Sequence, residues 1–200
     1  MHNQTDFGEI YQEFQPKIRH YLSRMLGDPA AEDIAQEVFA KVSRRLDSFR
    51  GKSSFATWIY RIATNTALDK LRSPSFKHSS AHTTLEDYAD TEDRNAWTGQ
   101  AEPTVDQKVI RKEMSECVRE FVDRLPPDYR TVLILSELEG FKNREIADIL
   151  EISLDNVKVR LHRARVRLKK ELDCGCSFYH SEQGTLACDR KPVGILDSQK

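Results

Sequence analysis

The sequence predicts an all-α protein: two small helical domains joined by a linker, with a short cysteine-containing tail. Three observations lead there. Apolar residues recur at three- and four-residue spacing through residues 7–72 and again through 109–172. No segment before residue 173 shows the period of two that a half-buried strand requires. Residues 74–105, rich in Ser, Thr, His, Asp and Glu, carry no apolar period, which suits a linker better than the inside of a compact domain.

The elements follow in order. Phe7, Ile10, Tyr11, Phe14, Ile18, Tyr21, Leu22 and Met25 form one helical stripe, ended by Gly27-Asp28-Pro29. Asp28 is expected to cap a second helix, with Pro29 in its first turn. That helix would turn Ala31, Ile34, Ala35, Val38, Phe39, Val42 and Leu46 inward and Asp33, Gln36, Glu37, Lys41, Arg44 and Arg45 outward. Phe49-Arg50-Gly51-Lys52 reads as a loop, and Ser53 or Ser54 as the cap of a third helix running to about Arg72, before Pro74. After the linker a further helix carries Val109, Ile110, Met114, Cys117, Val118, Phe121, Val122 and Leu125 on one face, with Cys117 expected in the core. Pro126-Pro127-Asp128 restarts the chain, Val132 to Leu138 is helical up to Gly140, and two more helices are expected over 143–150 and 154–172.

Of the 200 residues 32% are charged and 38% hydrophobic. Apolar runs such as Val132–Leu135 are far short of the ~20 residues that cross a bilayer. Met1–Asp6 has neither the basic nor the apolar region of a signal peptide, so the expected location is cytoplasmic. In that setting the 4 cysteines suit thiols or metal ligands better than a disulfide framework. A Gly-rich phosphate loop, a nucleophile elbow and a pair of carboxylates in a cleft are all missing from the sequence, so catalytic residues are expected to be none.

The net charge of −1 hides an asymmetry. Residues 81–107 hold Glu86, Asp87, Asp90, Glu92, Asp93, Glu102 and Asp106 against Arg94 alone, whereas 156–170 hold Lys158, Arg160, Arg163, Arg165, Arg167, Lys169 and Lys170 and no acid. An acidic stretch and a basic helix point to a nucleic-acid surface.

Residues 143–167 read as a helix-turn-helix. Asn143 is placed to cap a short helix whose Ile146, Ala147, Ile149 and Leu150 face inward, and Glu151-Ile152-Ser153 makes the turn. Val157, Leu161 and Ala164 face back onto the first helix, leaving Asn156, Lys158, Val159, His162 and Arg163 outside. A recognition helix needs this division: one side anchored, the other offering donors to base edges and phosphates. Arg160, Arg165, Arg167, Lys169 and Lys170 would add phosphate attraction. In the third helix Phe55, Ile59, Ile62 and Ala63 form a core face. Trp58, Arg61, Asn65, Asp69 and Arg72 form a second face suited to unstacked bases.

The segments Ala31-Glu32-Asp33-Ile34-Ala35-Gln36-Glu37-Val38-Phe39, Leu46-Asp47-Ser48-Phe49-Arg50-Gly51, Phe55-Ala56-Thr57-Trp58-Ile59-Tyr60-Arg61-Ile62-Ala63-Thr64-Asn65 and Val157-Lys158-Val159-Arg160-Leu161-His162-Arg163-Ala164-Arg165 closely resemble bacterial RNA polymerase sigma factors of the extracytoplasmic-function group, in the sigma-70 family. The resemblance covers about residues 7–172. It implies a sigma-two domain over 1–75, an acidic flexible linker over 76–107, a sigma-four domain over 108–172 and a tail over 173–200. It also implies roles. Asp33, Gln36, Glu37, Lys41 and Arg45 would dock on core RNA polymerase. Phe49, Arg50, Ser53, Ser54, Trp58, Arg61, Asn65 and Asp69 would hold the melted, single-stranded minus-ten element. Asn156, Lys158, Val159, Arg160, His162, Arg163, Arg165 and Arg167 would read the minus-thirty-five element as duplex. An anti-sigma factor is a partner that the resemblance makes natural, and no cofactor is required.

The tail carries Cys174, Cys176, His180 and Cys188. Ser181-Glu182-Gln183-Gly184 reads as a turn between two short strands, which would set Cys176 almost opposite Cys188. Soft thiolates so spaced suit zinc or copper(I), or a reversible disulfide, and a few extracytoplasmic-function subgroups have tails that look similar. Two other functions share some of these features: a helix-turn-helix regulator acting on duplex DNA without polymerase, and a metal-sensing protein.

Overall fold

The computed structural model describes residues 7–74, 76, 117–180 and 186–191. The linker expected over 76–107 (apart from Phe76) and the turn expected at Ser181–Gly184 lie outside the described residues. Backbone contacts divide the chain into two units, Met1–Asp87 with Pro126–Ala164, and Tyr88–Leu125 with Arg165–Lys200. Among the described residues no helix is long and apolar enough to cross a membrane.

In the first unit, α1 (Phe7–Leu26), α2 (Asp28–Arg45) and α3 (Phe55–Arg72) form a bundle, with a 3₁₀ turn at Leu46–Ser48 leading out of α2. The stripe read from the sequence is the buried one: Ile10, Phe14, Ile18, Tyr21, Leu22 and Met25 of α1 pack on Ala31, Ile34, Val38 and Val42 of α2 and on Ile59 and Ala63 of α3. Each large side chain so removed from water contributes about 1.5–3 kcal/mol. α1 continues through Pro16, which removes one backbone donor; burial of Phe14 and Ile18 on either side offsets that loss.

The caps correct one expectation and keep another. Gly27, at φ +84°, occupies the N-cap of α2, and Asp28 lies inside the first turn, where its Oδ1 accepts from the Ser23 hydroxyl. Only glycine takes that backbone conformation cheaply. For α3, Ser54 is the cap of the two residues expected: its Oγ accepts the Thr57 N–H at 3.1 Å.

Two tyrosines are built into this core. Thr64 donates its proton to the Tyr60 carbonyl at 2.6 Å, so the Tyr21 hydroxyl, 2.8 Å from Thr64 Oγ1, donates to it. Burial raises the Tyr21 phenol well above its ordinary range.

The same unit contains α4 (Pro127–Leu133), which opens into a π-helical turn at Ile134–Leu138, then α5 (Asn143–Leu150) and the start of α6 (Leu154–Gly175). The helix expected over Val132–Leu138 is therefore widened in its last turn, with the Glu139 N–H reaching back to Ile134 O at 3.0 Å. Gly140, at φ +73°, ends it as expected.

The second unit holds a helical stretch over 117–123, the C-terminal part of α6, and an antiparallel pair, β1 (Cys176–His180) and β2 (Leu186–Arg190). α6 continues to Gly175, past the expected end at 172. A Cβ at Gly175 would lie 2.4 Å from Cζ of Phe121, so the absence of a side chain is what lets the helix end meet that buried ring. The hairpin exists, and its register sets the two cysteines close across it, as expected, though not directly opposite. Cys176 faces Arg190, and Cys188 faces Phe178, two residues further along β1. A shift of two keeps side chains on the same face, so the two cysteines remain neighbours on a diagonal.

Candidate functional site

Three surfaces carry the residues singled out above, all in the first unit except for the part of α6 beyond Ala164. On α2, Asp33, Gln36, Glu37 and Arg45 are exposed and Lys41 is half-buried. Lys41 pairs with Glu37 at 2.7 Å and donates to Thr66 of α3 at 3.0 Å, so its ammonium also ties two helices.

The second surface is built on aromatic rings. Phe49 from the loop after the 3₁₀ turn meets Phe55 at 5.0 Å and Trp58 at 5.4 Å, and Phe14 of α1 supports Phe55 at 5.8 Å. The two contacts to Phe55 are edge-to-face and that of Phe49 with Trp58 is tilted, geometries that hold rings at defined angles. Trp58 is therefore half-buried against this cluster, where the sequence suggested an exposed stripe. Gly51, at φ +66°, turns the loop with open space around it, and Arg50 is exposed beside it. Ser53 is half-buried, and Ser54 is engaged as the α3 cap. Further along α3, Asn65 and Asp69 are exposed. Arg61 is half-buried and pairs with Glu151, at 3.6 Å, from the turn after α5.

The third surface is the helix pair α5 and α6. Ile146 and Ile149 are fully buried, and Ala147 and Leu150 are half-buried. The α5 cap differs from the expectation: Lys142 is the N-cap, and Glu145 Oε2 accepts its backbone N–H at 2.8 Å, while Asn143 is already helical. Glu151, at φ +54°, makes the left-handed turn, and Ser153 Oγ accepts the Asn156 N–H at 3.2 Å to start α6. Val157, Leu161 and Ala164 anchor α6, as the spacing required.

Asn156, Lys158, Val159, His162, Arg163, Arg165 and Arg167 are exposed on α6. Val159 shows 45% of its surface, an apolar group held outward among cations, which suits contact with a thymine methyl. Arg160 behaves differently. It is half-buried and pairs with Asp128 of α4 at 3.4 Å, so it braces the helix pair.

A separate constellation lies in the second unit. The sulfurs of Cys117, Cys176 and Cys188 all lie within 4.8 Å of one another, with Cys117 Sγ and Cys176 Sγ 3.6 Å apart. Cys176 is buried, and Cys117 and Cys188 are half-buried. Burial and the neighbouring thiols push the Cys176 thiol up to about 12, and burial raises Cys188 as well. Of the tail residues expected to act together, Cys174 and His180 are exposed and stand outside this cluster. Cys117, expected in the helical core, takes their place. The sequence holds no local signal for this, because an inward position on an amphipathic helix looks alike whether it meets leucines or thiols.

Comparison with known proteins agrees with the geometry. Residues 10–76 match the family model "Sigma-70 region 2" and residues 115–168 match "Sigma-70, region 4". The chain is 35% identical over 173 residues to the ECF RNA polymerase sigma factor SigW of Bacillus subtilis, covering 85% of this chain and 90% of that one. It is 32% identical over 163 residues to the ECF RNA polymerase sigma-E factor of Escherichia coli K12, covering 82% and 84%. Among solved structures, the sigma factor RpoE in complex with the anti-sigma factor NepR from Bartonella quintana shares the fold at a TM-score of 0.60 and 20% identity, covering 84% of this chain and 97% of that one. CnrH in complex with the cytosolic domain of CnrY does so at 0.58 and 21%, covering 86% and 90%. With both sigma-70 regions matched in order and full-length relatives above 30% identity, the chain belongs to the ECF group of RNA polymerase sigma factors.

Proposed function

We propose that this chain binds core RNA polymerase and directs it to promoters, reading the minus-thirty-five element as duplex and the minus-ten element as a melted strand. The boundaries proposed are 1–75 for the polymerase- and minus-ten-binding domain, 76–107 for the linker, 108–172 for the minus-thirty-five domain and 173–200 for the tail. Polymerase supplies the nucleotidyl transfer.

The observation that carries this reading is the division of α6 into an anchored and an open side. Val157, Leu161 and Ala164 are buried, while Asn156, Val159, His162 and Arg163 stand exposed on the helix that a helix-turn-helix places in the major groove. The aromatic cluster adds the single-strand function. Phe49 and Trp58 offer ring faces, and Arg50 in the adjoining loop and Asn65 further along α3 offer donors, a combination that offsets the few kcal/mol of extruding a base. The acidic and polar face of α2 (Asp33, Gln36, Glu37, Lys41 and Arg45) is the proposed polymerase contact. The similar sigma factor RpoE, solved with the anti-sigma factor NepR, supports such an inhibitor as the regulator here too.

The test is initiation by purified chain plus core polymerase on the organism's own promoters, with heparin-resistant complexes scored. The expected result is initiation that the Trp58→Ala and Arg163→Ala variants each lose, with polymerase binding retained. Sequence-specific duplex binding by the chain alone, unaffected by core polymerase, would replace this reading with that of a free-standing regulator.

A further inference from the structure

The three thiols of the second unit come from distant parts of the chain. Cys117 lies on the helix entering the region-4 half, and Cys176 and Cys188 lie on opposite strands of the terminal hairpin. Their sulfurs converge within 4.8 Å, a separation at which one ion bonded to all three fits with little movement. Among the described residues no histidine nitrogen or carboxylate oxygen joins the group.

The surroundings hold this arrangement in place. Gly175, immediately before Cys176, lets the end of α6 press against the Phe121 ring, one helical turn beyond Cys117. Arg190 of β2 pairs with Glu120 on the same helix. The Lys191 N–H closes the hairpin base on Gly175 O at 2.9 Å. The first contact joins the end of α6 to the helix that bears Cys117, and the other two join the hairpin to that helix and to the end of α6, around the thiols.

We propose that Cys117, Cys176 and Cys188 form a trigonal, all-sulfur binding site for a soft monovalent ion, copper(I). The donor set selects the ion. Thiolates favour copper(I) and zinc over magnesium, calcium or manganese. Zinc in a structural site takes four ligands in a tetrahedron, which this set leaves one short. Copper(I), a closed-shell ion of lower charge, is satisfied by two or three sulfurs. Three thiols bind one copper(I) and release their protons to solvent, with no change in the oxidation state of sulfur or metal. The ion then clips the hairpin to the helix carrying Cys117, and so stiffens the end of α6, the proposed reading helix. This regulatory consequence rests on the sigma-factor reading; the binding of copper(I) does not.

The experiment is an anaerobic titration of the full purified chain with copper(I) against a chromogenic copper(I) chelator, with zinc titrated in parallel. The expected result is one copper per chain, affinity reduced at least tenfold in each of Cys117→Ser, Cys176→Ser and Cys188→Ser, and no change in Cys174→Ser. X-ray absorption should show copper ringed by three sulfurs. Thermal melts without metal check that each serine variant folds, and mass spectrometry of the chain in the presence of copper confirms the stoichiometry independently. Wild-type affinity in Cys117→Ser, loss of binding in Cys174→Ser, or displacement of copper by equimolar zinc would each overturn the assignment. Because none of these readouts uses polymerase, a failure of promoter-specific initiation leaves the site standing, and a failure of copper binding leaves the sigma-factor reading standing.

Discussion

The Tyr60 hydroxyl donates to Glu139 Oε2 at 2.7 Å, joining α3 to the residue that follows the π-helical turn. Arg24 of α1 approaches the other oxygen, Glu139 Oε1, at 3.4 Å, and only 10% of the Glu139 side chain is exposed. Phe141 packs on the Tyr60 ring at 4.7 Å, and Arg61 pairs with Glu151. One nearly buried carboxylate is thus shared by two helices of the bundle, with ring packing beside it. The arrangement also bears on promoter reading. Elements about 25 base pairs apart lie about 85 Å apart on B-DNA. Residues of α3 and of the α5–α6 turn in direct contact cannot sit on both, so the proposed function requires the two to separate on a promoter.

Glu139→Gln should therefore destabilise the free protein by about 2 kcal/mol, because Arg24 and Tyr60 lose a charged acceptor in a nearly dry site. Tyr60→Phe should cost less, about 1 kcal/mol, since Glu139 keeps Arg24. Urea unfolding measures both. Equal stability of Glu139→Gln and wild type would show that the carboxylate fastens nothing.

Tyr21 and Tyr60 give the protein an alkaline limit. Burial raises both phenols above the ordinary value of 10, with the Glu139 charge adding to the rise at Tyr60. Below pH 10 both are neutral in the folded and unfolded chain, and their contribution is fully present. Above pH 10 the unfolded chain loses protons that the folded one keeps, so stability falls as pH rises, by up to about 1.4 kcal/mol per pH unit for each tyrosine. Melting points between pH 8 and 11 should drop, and Tyr21→Phe should flatten the drop. A curve that stays level past pH 10 would contradict the burial argument.

The two sides of α6 should respond oppositely to substitution. Arg163→Ala and Val159→Asp, both at exposed positions, should leave stability within about 0.5 kcal/mol and weaken promoter binding roughly 10- to 100-fold. Leu161→Ala should cost about 2–5 kcal/mol of stability, because it empties a buried site. Denaturation paired with fluorescence anisotropy on promoter DNA separates the two effects.

In the second unit, reagent access should follow burial. Cys174 is exposed and Cys176 is 2% exposed, so iodoacetamide mapped by mass spectrometry should label Cys174 first and Cys176 last. Gly175→Ala forces a Cβ against the Phe121 ring, at a cost of about 1–3 kcal/mol. It should loosen the hairpin and speed labelling of Cys176. Unchanged labelling would mean that the ring moves aside freely.

Much of this protein was legible in its sequence. The helical stripes of α1 to α3, the Ser54 cap and the inward trio Val157, Leu161 and Ala164 all follow from local spacing, because the helical period of 3.6 fixes which neighbours share a face. The segments from Ala31 to Asn65 and from Val157 to Arg165 also identified the family, since their order along the chain is itself information. Tertiary structure alone decided the rest. It turned Arg160 onto Asp128 while leaving Arg163 outward, gave Glu139 two partners from remote helices, and set the hairpin register that pairs Cys176 with Arg190. It also exchanged Cys174 and His180 for Cys117 in the thiol cluster. The reason is the same in each case. A residue's face on its own helix is a short-range property of the backbone, whereas its partner depends on how elements dozens of residues apart dock, and docking is set by the summed packing of whole surfaces.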